Sequence, residues 1–281
     1  CIIIVSLLFF NKNVTAQGYL LWAKKIGGIG NFDYAFCIKK DLMGNIFILG
    51  TYSGTVDFDP NVGIHNSTAQ GLQDAYLLKL DKNANFIWVK TFEGSSNSAI
   101  NVNTNSIHID KSGAIIINGI FDDIIDSDPS NSVNMLSAVH SYDMFLIKLD
   151  GNGNFIWSKM MNNRGSVNVD YSDNIIISGY FIGTTDMNPN FGIYNMTPTG
   201  NSDGYIIKLD SQGNFVYAKQ IGGINTFIDN TYLTEIDKQN NIYLSGLFGG
   251  TIDFNPNGGV NNLTSSLISV SDSYILKLDS N

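Results

Sequence analysis

Residues 143–161 read DMFLIKLDGNGNFIWSKMM, and the chain writes this stretch again at 74–92 as DAYLLKLDKNANFIWVKTF and at 203–221 as DGYIIKLDSQGNFVYAKQI. A fourth copy opens at 272 as DSYILKLDSN, and its missing second half matches YLLWAKKI at 19–26. Lys79, Lys148, Lys208 and Lys277 recur at intervals of 69, 60 and 69 residues, and Trp22, Trp88, Trp157 and Tyr217 at 66, 69 and 60. Two further landmarks keep the same frame. One is NIFILGTY (45–52), AIIINGIF (114–121), NIIISGYF (174–181) and NIYLSGLF (241–248). The other is Asp57-Phe58-Asp59-Pro60, Asp126-Ser127-Asp128-Pro129, Asp186-Met187-Asn188-Pro189 and Asp253-Phe254-Asn255-Pro256. A period of this size belongs to solenoids, propellers or arrays.

Each unit holds four short apolar runs rich in Ile, Phe, Val, Tyr and Trp and bounded by Gly, Asn and Asp, which is the composition of strands. Between the first and second runs, and between the third and fourth, lies a turn of constant chemistry. Asp41 to Gly44, Asp110 to Gly113, Asp150 to Gly153 and Asp210 to Gly213 place Asp first and Gly fourth. That order suits a type I turn, in which Asp accepts backbone hydrogen bonds and Gly tolerates positive φ. Ala84, Asp173 and Asn240 take the fourth place elsewhere, and Ala84 is the least comfortable of them. The second run is apolar at consecutive positions, as in Ile115-Ile116-Ile117, so both of its faces are expected to be buried. The expected fold class is all-β: a β-propeller of four-stranded antiparallel blades, in four repeats of about 60–69 residues. A β-solenoid is the rival, but its rungs repeat at shorter periods. Pairing of 19–26 with 272–279 would close a four-bladed ring; an open arc is the alternative.

The pattern D-x-(Y/F)-(L/I)-(L/I)-K-L-D-x-x-G-N-F-(I/V)-W-x-K, with N-I-(F/I/Y)-(I/L)-x-G-x-(F/Y) and the D-F-D-P-like stretch, resembles the SBBP-type β-propeller repeat. The resemblance covers essentially all of 19–279, with Tyr217 for Trp, Ala84 for Gly and a shortened third unit as departures. It implies a propeller and an exported, secreted or cell-surface bacterial protein, of the kind common in Bacteroidetes; it implies no defined ligand or reaction.

The chain has 281 residues and a formal net charge of −9. That balance excludes nucleic acid as a partner, because phosphate binding needs a basic surface. The apolar run IIIVSLLFF at 2–10 is too short to span a bilayer as a helix. Followed by Val14-Thr15-Ala16, it reads as a secretory signal spanning 1–16, N-terminally truncated and cleaved after Ala16. Residues 17–281 then form the propeller domain, with no membrane span in the mature chain. Cys1 leaves with the leader, so Cys37 is a single thiol without a disulfide partner. The mature domain is expected to be a monomer.

His65, His108 and His140 stand at unrelated positions of the repeat and predict no metal cluster or triad. In the Asp-x-(Asp/Asn)-Pro stretches, paired oxygens two residues apart could supply hard ligands for calcium, but Asx before Pro is a turn former and the later bidentate Glu is absent. They read first as structural corners. Asp150-Gly-Asn152-Gly-Asn154 has equivalents at 81 and 210 that make it a hairpin turn and not a calcium loop. Lys79, Lys148, Lys208 and Lys277 lie between apolar neighbours and are expected to pair with carboxylates across strands. The aromatic ladder of Trp22, Trp88, Trp157 and Tyr217 reads as packing between blades, with carbohydrate stacking as the alternative.

No catalytic, cofactor-binding or metal residues emerge. The favoured function is a noncatalytic secreted or cell-surface module that binds a protein or glycan, or acts as a spacer. The alternative is an extracellular polysaccharide hydrolase or lyase, which would gather acid and base groups on one rim; Arg164 is the chain's single arginine.

Overall fold

The computed structural model describes residues 19–29, 32–96, 98–102, 106–223, 227–267 and 271–280. The expected leader, 1–16, lies outside them. No helix occurs among the described residues, and none is long and apolar enough to cross a membrane.

The repeats build antiparallel sheets of one design. The first sheet orders Tyr34–Lys40, Ile46–Tyr52, Asp74–Leu80 and Phe86–Phe92. The second repeats it with Ile115–Phe121, Asp143–Leu149 and Phe155–Met161; two short strands, Ile100–Asn101 and Ile107–Ile109, share the inner position. The third runs Gly165–Val169, Ile175–Phe181, Asp203–Leu209 and Phe215–Ile221. The fourth has three strands, Phe227–Ile236, Ile242–Gly249 and Asp272–Leu278.

The turn chemistry accounts for the hairpins. Asp150 Oδ1 accepts from the backbone N–H groups of Asn152 and Asn154, each at 2.8 Å, while Gly153 sits at φ 80°. Ala84, Asp173 and Asn240 occupy the same left-handed position, at φ 63°, 64° and 64°. Asp and Asn reach this region more readily than Ala, so Ala84 carries the strain.

The Asp-x-(Asp/Asn)-Pro stretches open a two-stranded ribbon after each second strand: Thr55–Asp57 with Asn66–Thr68, Ile124–Asp126 with Met135–Ser137, Thr185–Asp186 with Asn195–Met196, and Thr251–Asp253 with Asn262–Thr264. The sequence reading did not anticipate these ribbons. Three of the four meet the strand that leads in from the preceding unit: Gly94 bridges Ile125, Gly222 bridges Asp253, and Gly27–Ile29 pairs with Thr55–Asp57.

Alternating side chains of the second and third strands point to opposite neighbours. Ile115, Ile117, Phe145 and Ile147 pack with Phe47, Leu49 and Leu77 of the first sheet. Ile116 and Leu146 pack instead with Ile175, Ile177 and Ile207 of the third. Ile176 and Ile206 meet Leu244, Phe248 and Leu276 of the fourth. Each such side chain contributes about 1.5–3 kcal/mol on burial. These cores make the repeats one propeller-like array.

The pairing of 19–26 with 272–279 is not formed. Residues 19–26 form no strand, and the fourth sheet stops at Asp272–Leu278. The leading segment is held on the first unit instead: Lys24 Nζ donates to Asn61 Oδ1, Ile26 packs against the cluster of Tyr52, Val56 and Phe58, and Gly27–Ile29 pairs with the first ribbon.

Candidate functional site

The innermost strands of all four units converge on a cavity of about 440 Å³. Lys39 and Lys40 enter it from the first sheet, and His108 and Lys111 from the second. Asn168, Tyr171 and Asp173 come from the third, and Glu235 from the fourth. The wall is tied together by polar contacts. Asn168 Nδ2 donates to Thr234 O at 2.8 Å, and the Tyr171 N–H to Asn240 Oδ1 at 2.8 Å. The Lys111 N–H donates to Asp173 Oδ1 at 3.2 Å, and its ammonium donates to Tyr171 O. Lys39, Lys40 and Glu235 are exposed at the mouth. The cavity thus presents ammonium groups from one side and carboxylates from the other, a surface suited to polar recognition by complementary charge.

The sequence reading named only His108, as an isolated histidine, and Asp173, as a turn residue, and placed none of them in a site. A signal was there: the repeat varies at the next-to-last residue of each first run, Lys39, His108, Asn168 and Glu235, and at the second turn residue, Leu42, Lys111, Tyr171 and Lys238. Residues that vary where the scaffold is constant are where a site is grafted on a repeat.

The acidic stretches are backbone caps. Asp57 Oδ1 accepts from the N–H groups of Asp59 and His65 at 3.0 and 2.8 Å, and Asp253 Oδ1 from those of Asn255 and Asn261 at 2.9 and 2.8 Å. Asp126 and Asp186 make the same pair of contacts. Asp59 Oδ1 caps Asn61 in turn, at 2.9 Å. These hydrogen bonds hold the Asp57 and Asp253 carboxyls below the usual carboxylate range. Among the described residues no group of three or more His, Cys, Asp or Glu is placed to hold a metal ion.

Three of the four lysines, Lys148, Lys208 and Lys277, form the expected carboxylate pairs, and three reach further. Lys148 Nζ lies 2.9 Å from Asp110 Oδ2 and donates to Ser211 O at 2.9 Å, in the outer turn of the next sheet. Lys208 lies 3.7 Å from Asp170 and donates to Ser280 O at 3.0 Å, and Lys79 donates to Gly151 O at 2.8 Å. Lys148 and Lys208 therefore staple their own inner turn to their neighbour's outer turn, while Lys79 reaches the neighbour's outer turn and Lys277 pairs only with Asp237 of its own sheet. Burial pushes the Asp110 carboxyl up, but hydrogen bonds from Ser112 and Lys148 and the Lys148 charge outweigh it, and the group stays lowered.

Trp88 and Trp157 pack at the interfaces beside the first two cores. A Cβ at Gly213 would lie 3.1 Å from the Trp157 ring, so Gly serves there both the left-handed turn and the aromatic above it. Tyr217 packs likewise beside the third core, whereas Trp22 is exposed. The histidines stay apart. The His65 ring lies against Phe86, with centroids 4.6 Å apart; His108 is buried on an inner strand; and His140 Nδ1 stands 3.4 Å from Asp143.

One buried group was overlooked in the repeat: the Asp that opens the third strand of each of the first three units. Asp74 accepts from the N–H groups of Gln70, Gly71 and Gly94, at 2.7, 3.2 and 2.9 Å. Asp143 and Asp203 take the same loops in their own units.

No family model matches the chain. Over 203 residues it is 28% identical to an uncharacterized WD repeat-containing protein of Acanthamoeba polyphaga mimivirus. The match takes in 62% of this chain and only 14% of that protein's length. With the repeated antiparallel sheets, this similarity fits a β-propeller-like repeat protein.

Proposed function

We propose that this chain is an exported, noncatalytic module of the SBBP-repeat type that binds a protein or glycan at the central cavity. The observation that carries the reading is the convergence of Lys39, Lys40, Lys111, Asp173 and Glu235, from four different sheets, on one cavity. The scaffold around them is accounted for by packing, caps and staples, and Lys39, Lys40 and Glu235 stand exposed at the mouth. Mixed charge at a concave mouth gives specificity for a polar partner of complementary pattern. The similarity to a WD repeat-containing protein supports an interaction role. Export rests on the leader-like run at 2–10 and on Val14-Thr15-Ala16.

A screen of glycans and cell-surface proteins with the chain from Gln17 onward tests the site, with the Lys40→Glu, Lys111→Glu double variant beside it. The reading predicts at least about a tenfold loss of affinity in the variant, the effect of about 1.4 kcal/mol. Equal binding by both would remove the site from the cavity. Export is tested by the N-terminus of the secreted protein, which should be Gln17.

A further inference from the structure

We propose that Asn66, Asn195 and Asn262 are acceptor sites for N-linked oligosaccharide, on the outward face of the ribbon in the first, third and fourth units. The inference rests on the export proposed above, because the sugar donor is met by chains that cross a membrane. It does not depend on the cavity.

The second strand of the ribbon carries Asn66-Ser67-Thr68, Asn195-Met196-Thr197 and Asn262-Leu263-Thr264, with Met135-Leu136-Ser137 in the second unit. Asn-x-Ser/Thr is the acceptor pattern for N-glycosylation. From Gln17 onward the pattern occurs at these three places, all at one position of the repeat; a further instance, Asn13-Val14-Thr15, belongs to the expected leader. Side chains alternate along a strand. Asn66 and Thr68 therefore share a face with Ile64, while His65 and Ser67 turn inward, onto Phe86 and Tyr52. Asn66, Asn195 and Asn262 are exposed, and their side-chain amides make no hydrogen bond among the described residues. The turn asparagines differ: Asp150 and Asp210 hold the Nδ2 groups of Asn154 and Asn214, at 2.8 and 2.9 Å. The ribbon itself does not require the acceptor. Met135 takes its place in the second unit and pairs with Asp126 as Asn66 pairs with Asp57. The hydroxyls of Thr68, Thr197 and Thr264 do have a scaffold role, bonding Thr55, Thr184 and Thr251 at 2.8 Å on the same exposed face.

The same face carries an apolar row that a glycan would cover. Two residues before the acceptors stand Ile64, Ile193 and Val260, 78, 79 and 78% exposed. Val133 holds the place in the second unit, 67% exposed, and makes that ribbon the internal control. A recurrent exposed apolar position has no packing role within the chain and marks a face that something else covers. The apolar faces of the first sugar rings, fixed two residues away on the same side, can lie over it. In the transfer, the Asn Nδ2 attacks C1 of the first sugar of an oligosaccharide linked to a polyprenyl pyrophosphate. The C1–O bond breaks, the lipid pyrophosphate leaves, and Nδ2 gives up one proton. An oligosaccharyltransferase of the secreting cell catalyses the step; this chain supplies the acceptor.

The chain from Gln17 onward is secreted from a eukaryotic host behind that host's own leader, so the outcome does not hang on residues 1–16, whose role is tested separately. Peptide mass mapping before and after enzymatic removal of the sugars should place glycan on Asn66, Asn195 and Asn262. Asn195→Gln should lose one of the three glycans and keep its melting temperature, because that amide holds nothing in the fold. Met135→Asn, which completes the pattern in the second ribbon, should gain a fourth. Stripping the sugars from the folded protein should raise binding of a dye that reports exposed apolar surface, and less so in Ile193→Ser. Secreted, folded protein with all three asparagines unmodified would overturn the proposal. Unchanged dye binding would overturn the covering of the apolar row.

Discussion

The interface between the second and third sheets and the outer face of the fourth sheet are built from the same repeat, yet they differ in every contact that matters. In the first, Leu146 is buried against Ile175 and Ile207, Lys148 joins Asp110 to the turn at Ser211, and Trp157 lies over Gly213. In the second, Ile275 stands in solvent and Lys277 keeps its own-sheet partner, Asp237, at 3.6 Å. A repeat unit thus specifies half of an interface, and its stability comes from the neighbour that supplies the other half.

The largest expected difference is in the cores. Phe145→Ala, at a fully buried site between the first and second sheets, should cost about 3–5 kcal/mol. Ile275→Ala, at the outer face, should stay within about 0.5 kcal/mol. Chemical denaturation of both variants checks the contrast; equal losses would mean that the outer face is packed.

The staples come next. Lys148→Met leaves the Asp110 carboxylate buried without its ammonium, and removing one partner of a buried pair costs about 3 kcal/mol or more. Lys277→Met should leave the melting temperature unchanged, because an exposed pair is largely screened by water.

Acid should act on both regions. Side-chain and backbone hydrogen bonds from Asn241 hold the Asp237 carboxyl down at about 2, and backbone hydrogen bonds lower Asp57 and Asp253. A carboxyl whose folded pKa is depressed stabilises the fold above its unfolded value, near about 3.9, and loses that contribution as pH falls through the folded value. The melting temperature should therefore drop between about pH 4 and pH 2. A flat profile across that window would show that these caps are not formed. The smallest effect concerns calcium: with Asp57, Asp126, Asp186 and Asp253 each capping two backbone N–H groups, a chelator should leave the melt unchanged. A drop restored by calcium would return the acidic stretches to metal binding.

Much of the scaffold could be read from sequence because its physics is local. The Asp-x-x-Gly turns, the consecutive Ile runs and the Lys–Asp pairs each follow from residues a few positions apart or in matching strands. The buried Asp74, Asp143 and Asp203 were missed because a single Asp before an apolar run gives no sign of the loop that folds over it. Closure was left between a ring and an open arc for a related reason. The sequence of 19–26 names its partner strand, but whether the two meet depends on how successive sheets are inclined, which is set by many packed side chains together. The cavity escaped because Lys40, Lys111, Asp173 and Glu235 are far apart in the chain and become neighbours only when four inner strands converge.

Hydrogen exchange, read peptide by peptide, tests most directly the claim that the internal and outer faces differ. Backbone amides of Phe145 to Lys148 and of Tyr274 to Lys277 occupy equivalent strands, so intrinsic rates and inner-strand pairing are matched. The account predicts exchange at least about a hundredfold faster in the outer strand, whose local opening exposes little packed surface. Equal protection of the two strands would contradict it.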